Sequence, residues 1–207
     1  METEEIREKK EPKRLPVWAC ILLFALGLFV CMGLYGTIGF GLLSLILGDE
    51  ARHPGLLVYT VTEANMLLSV LTPAVILLYF ERRPFSDLGL TLKGHVRGLW
   101  YGLLVAMLLY LIGFGLSLAI GEVEVTGFQF DPLNLLGTFV FCLLVALTEE
   151  IMMRGYILGR LLHTRMNKFL ALFVSALLFA LLHIFNPNVA FLPMLNLVIA
   201  GMLIGAS

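Results

Sequence analysis

Charge is what this sequence has least of. Only 14% of its 207 residues are Asp, Glu, Lys or Arg, against 59% hydrophobic, and the mean hydropathy is +0.94. A soluble domain carries about 25% charged residues, so a chain this apolar cannot cover itself with polar surface. The scarcity excludes a free-standing soluble enzyme and makes the bilayer the solvent. The usual soluble catalytic signatures are missing too: there is no HExxH, no GxSxG and no Gly-rich phosphate loop. Cysteine is sparse, with Cys20, Cys31 and Cys142 each inside an apolar run and no CxxC pair. That excludes a disulfide framework and a zinc knuckle. The apolar run after Pro16 is too long for a signal peptide and has no clear small-residue cleavage site.

What is there is a succession of long apolar runs. The expected class is all-α, a polytopic membrane helix bundle of about six spans. They are Val17 to Leu47, Leu56 to Phe80, Val96 to Ile120, Leu133 to about Leu158, Phe169 to Phe185, and a last run from Val189 that stops at Ser207 as a truncated helix would. Gly33, Gly36, Gly39 and Gly41 predict close helix contacts or a break late in the first run, and Pro73 predicts a kink in the second. Three regions follow: a charged tail over 1–16, N-terminal spans over 17–125, and a core over 126–207.

The basic residues orient the bundle. Thirteen of the 14 Lys and Arg lie in the tail, the second-to-third loop and the fourth-to-fifth loop with their flanks, and only Arg52 lies on the other side. The positive-inside rule then places the N-terminus in the cytoplasm. The expected setting is a prokaryotic plasma membrane. The lipid bilayer is an expected partner, and nucleic acid is not.

Chemistry concentrates on two of the runs. Glu149 and Glu150 follow the apolar stretch Phe139 to Leu147, so they lie within a span. Insertion scales put an Asp at a helix centre at roughly 2.5–3.5 kcal/mol, and Glu is of similar order. Adjacent helical residues point about 100° apart, so the two carboxylates cannot share a role. Glu150 and Arg154 are four apart and can pair. Glu149, with no local cation, is the better candidate for a general base. His183 closes the run Phe179 to His183, and Phe179 shares its face. Counting from the intervening loop at 1.5 Å per residue, Glu149 lies roughly 16–21 Å deep and His183 about 22 Å deep. On antiparallel neighbours joined by a short loop, the two groups can meet and activate a water molecule.

Other readings stay open at this point. The Glu150–Arg154 pair also suits a structural clamp, His183 a hydrogen bond between helices, and the paired Glu an ion pathway. His53, His95 and His163 read as surface residues, and Glu63 as an interfacial or packing residue near the outer boundary. Gly201 and Gly205 form a small-xxx-small packing pattern.

At these residues the sequence resembles the CPBP family of intramembrane proteases, which includes the CAAX prenyl endopeptidases and bacterial relatives linked to bacteriocin self-immunity. The family's EExxxR motif is matched by Glu149, Glu150 and Arg154, and its FxxxH motif by Phe179 and His183. Phe85 to Leu90 (FSDLGL) and Ser175 to His183 (SALLFALLH) resemble the family's surroundings, and the match covers about Asp131 to Ser207. The resemblance implies hydrolysis of a peptide bond, with Glu149, Glu150 and His183 as catalytic candidates and Arg154 and Phe179 supporting them. It also implies that the substrate is a peptide or protein, with a prenylated peptide among the candidates. Asn196 stands where relatives often carry an Asn. A divalent metal such as zinc, if one is used, would take Glu149 and His183, but catalytic zinc usually has three protein ligands and a metal-free Glu/His site fits as well. The family's third motif, a His followed four residues later by Asn or another polar residue, does not occur after His183. The alternative expectation is therefore a catalytically inactive scaffold or immunity protein that binds a peptide.

Overall fold

The computed structural model describes residues 15–90, 94–184, 186 and 190–206. The charged segment 1–14 lies outside these, as do the span ends expected at Phe185 and Val189. Every regular element among the described residues is helical. The order is α1 (Val17–Leu47), α2 (Leu56–Phe80), α3 (Val96–Ala119), α4 (Pro132–Glu150), a π-helical segment (Ile151–Leu158), α5 (Gly159–Leu162), α6 (Lys168–Leu182) and α7 (Phe191–Gly205). Short 3-10 turns follow α1 at Gly48–Arg52 and α2 at Phe85–Leu88.

Four stretches are long and apolar enough to cross a membrane: Val17–Arg52, Leu56–Phe80, Val96–Ala119 and Pro132–Leu162. Helices α6 and α7 have 15 residues each, or roughly 22 Å at 1.5 Å per residue. That is short of the roughly 30 Å hydrocarbon layer. The expected six runs are therefore present as four long helices and two short ones.

Glycine and proline let α1 and α2 pack closely and antiparallel. A Cβ on Gly39 would fall on the Asn65 amide, and one on Gly27 would come within 2.7 Å of Pro73 Cβ. Helix α1 runs unbroken through its glycines, and a Cβ on Gly33, Gly36 or Gly41 would meet open space. The expected tight contact in α1 thus rests on Gly39 and Gly27. Helix α4 begins where Asp131 accepts hydrogen bonds from the Leu133 and Asn134 amides, 3.1 Å each, with Pro132 in the first turn. This satisfies two otherwise orphaned N–H groups. Asn167 caps α6 in the same way through the Phe169 amide at 2.8 Å.

The core lies between α1, α2, the π-helical segment and α6. Phe24 stacks on Tyr156 at 4.3 Å, and Val70, Ala74, Leu78, Met153 and Ala171 close around them. The sequence pattern predicts regular α-helix through Leu158, but the hydrogen bonding widens to π over Ile151–Leu158. Seven of those eight residues are buried. Gly155 sits against the chain after α2, where a Cβ would stand 2.6 Å from the Leu88 carbonyl oxygen. Gly89 ends that turn in the left-handed conformation at φ 75°. Because the obstacle at Gly155 is backbone, Gly155→Ala is expected to cost about 1–3 kcal/mol as overpacking, read as a lower midpoint in detergent unfolding. Gly201 approaches Ala176 and Gly205 approaches Leu172, so the small-xxx-small pair does bring α7 onto α6.

Candidate active site

The end of α4 presents the paired carboxylates, the π-helical segment presents Arg154, and α6 presents the imidazole. His183 is the first residue beyond α6 and occupies its C-cap position. Its Nδ1 lies 2.9 Å from the Phe179 carbonyl oxygen. A carbonyl only accepts, so Nδ1 carries the proton and Nε2 of the neutral ring is an acceptor. That Nε2 stands 3.5 Å from Glu149 Oε1, with the side chains 22% and 34% exposed. Two acceptors facing each other at that distance need a proton or a water molecule between them. A water donating one hydrogen to each would be held with its oxygen polarised.

Glu150 points elsewhere and pairs with Arg154 Nη1 at 3.0 Å. Arg154 in turn lies over the Phe179 ring, 5.0 Å from its centroid. Phe179 meets the His183 ring edge-on at 4.7 Å. The residues of both motifs therefore form one chain of contacts, running from Glu150 through Arg154, Phe179 and His183 to Glu149. The Arg154–Phe179 stacking is invisible in the sequence, because it joins two helices rather than two positions on one. Ser175 ties α6 to the π-helical segment a second time, donating to the Met153 carbonyl at 3.3 Å.

Glu149 and His183 open onto a cavity of about 500 Å³, also lined by Leu28, Phe29 and Met32 of α1, Glu63 and Met66 of α2, and Thr148. Its size falls within the ordinary range for ligand sites. Asn196 is exposed on α7 and outside this lining. His53, His95 and His163 are exposed, with His163 Nδ1 bonded to the Gly159 carbonyl at 2.6 Å. Glu63, expected near the outer end of its span, is the eighth residue of α2 and lines this cavity, which the sequence does not show. Among the described residues no three His, Cys, Asp or Glu side chains converge as a metal set. Glu149 and His183 alone fall short of the three protein ligands usual for catalytic zinc.

Residues 131–207 match the family model described as type II CAAX prenyl endopeptidase Rce1-like. Over this segment the chain is similar to that family. The match supports the CPBP/CAAX protease family, and with it a CAAX-type membrane protease at the level of the family. It begins at the Asp131 cap of α4 and takes in both motifs. Of the helices that build the cavity, the Rce1-like segment supplies α4 and α6, while α1 and α2 lie outside it. No curated protein and no solved structure matches the chain.

Proposed function

We propose that this protein is an intramembrane endopeptidase that hydrolyses a peptide bond with a water molecule held between Glu149 and His183. The observation that carries the reading is the 3.5 Å approach of His183 Nε2 to Glu149 Oε1, two acceptors that a single water can bridge. Glu149 takes one proton of that water as its oxygen attacks the peptide carbonyl carbon, and the carbonyl oxygen becomes the oxyanion of a tetrahedral intermediate. The C–N bond then breaks as Glu149 returns the proton to the leaving nitrogen, giving a carboxylic acid and an amine, and the acid then passes its proton to the amine. His183 Nε2 accepts a hydrogen bond from the water's other O–H and orients the attack. Glu150, held by Arg154, fixes the shape of the helix.

The positive-inside rule puts the basic loops on the cytoplasmic side, with the cavity within the membrane-spanning bundle. A substrate with a lipid-modified end suits an apolar cavity bordered by bilayer, so prenylated peptides are the first to test. The experiment is cleavage of farnesylated and unmodified peptides by the full chain in proteoliposomes, read by mass spectrometry. Wild type is expected to cleave and Glu149→Ala and His183→Ala to fail, whereas undiminished activity in either variant would sink the assignment. Because the two residues work on water directly, activity is expected to survive prolonged EDTA treatment. Loss on chelation with recovery on adding zinc would assign the water to a metal instead.

A further inference from the structure

Carboxylates inside a membrane are expensive and persist where something answers them. In this chain Glu150 is answered by Arg154, Glu149 by His183, and Glu81, just past the end of α2, by Arg160. Glu63 is the exception. It lies seven residues into α2, and its side chain has no hydrogen bond or ion pair among the described residues. It lines the wall of the catalytic cavity and also that of an adjoining cavity of about 250 Å³ between α1 and α2, beside Gly36, Phe40 and Val58. It is the only charged residue in the lining of the second, and it shares the first with Glu149 and His183.

The helix register places Glu63 relative to the reacting atoms. Helices α2 and α4 run parallel, with Leu56 against Gly137 and the Tyr59 ring 6.3 Å from that of Phe141. Carried forward, this pairing sets Glu63 level with about Val145, which lines the same cavity. Val145 precedes Glu149 by four residues, or roughly 6 Å along the helix. An extended peptide advances about 3.3 Å per residue, so that spacing corresponds to about two residues of bound substrate. Around Glu63 the wall is apolar, formed by Leu28, Phe29, Met32 and Met66, so a cation arriving there is attracted in a medium of low dielectric.

We propose that Glu63 is a specificity-determining residue of this site: it holds a lysine ammonium or arginine guanidinium of the substrate about two residues from the bond cleaved at Glu149. The proposal rests on the protease reading for its chemistry, while the binding preference it predicts is measurable without cleavage. The test uses a series of fluorescent apolar peptides, identical except for Lys, norleucine or Glu at one position stepped along the chain. Wild type is expected to show a KM lower by roughly 30-fold or more for Lys peptides cut about two residues from the Lys, the scale of a desolvated charge pair. Glu63→Gln should erase that difference through KM, and Glu63→Lys should shift preference to the Glu peptides. An equal fall in kcat on every peptide, or an unchanged preference, would overturn the assignment. Binding of the same peptides to Glu149→Gln, with and without Glu63→Gln, separates the two claims. A Lys preference in binding that disappears with Glu63→Gln supports the proposal even if wild type cleaves nothing, in which case the protease reading alone fails. No Lys preference in binding overturns the proposal whatever the cleavage result.

Discussion

Glu149→Gln is expected to lower kcat by roughly 10²–10⁴, the range for removing a positioned general base, with KM little changed. Glutamine keeps the size of the side chain and its hydrogen bond to a bridging water, but it cannot take the proton that attack releases. His183→Ala is expected to fall in the same range, because the water then loses its second acceptor and its orientation. The double variant should cost little more than the worse single one, since residues acting on one water act as a unit. Single-turnover cleavage with excess enzyme in proteoliposomes would separate these effects from product release. Multiplicative losses in the double variant would show that Glu149 and His183 do not share a water. Phe179→Leu supplies an internal comparison. It removes the ring that Arg154 and His183 both touch, at 5.0 and 4.7 Å, without removing either polar partner.

Arg160→Met is expected to destabilise the fold by about 3–5 kcal/mol, the scale for leaving one member of a buried ion pair alone. Arg160 and Glu81 are 5% and 11% exposed and 2.5 Å apart. Cys20 donates to the other Glu81 oxygen at 2.8 Å, and Arg160 lies over the Tyr156 ring at 5.1 Å. One charge pair thus joins the start of α1, the end of α2 and α5. Glu81→Leu alone should be similarly harmful, while Glu81→Leu with Arg160→Met should recover most of the loss, because an apolar pair of similar volume has no charge to desolvate. Unfolding midpoints of the four proteins in one detergent form the cycle. Additive losses would mean that the pair is not coupled.

The parts of this molecule that were legible in the sequence are those governed by solvent. An apolar run of twenty or more residues admits few structures in lipid, so α1 to α4 stand close to their expected bounds. The approach of Glu149 and His183 was legible for a related reason, since both helices are measured from one short loop and depth is then a count of residues. The π-helical segment was not legible, because its residues are almost all apolar and carry no period from which four- and five-residue spacing could be told apart. That Glu63 shares a cavity with Glu149 was not legible, because depth along one helix says nothing about the offset between two. Its place beside the Glu149 cavity depends on the register of α2 against α4, in which Leu56 lies against Gly137.

That parallel register also explains α3. No residue of α3 is buried, and its glycines face open space. Yet two helices that cross a bilayer in the same direction need a return crossing between them. The contribution of α3 is one of parity: it brings the chain back so that α4 enters from the same face as α2 and lies beside it. Length and hydropathy are therefore what its sequence must preserve, and the identity of each residue along it is comparatively free to drift.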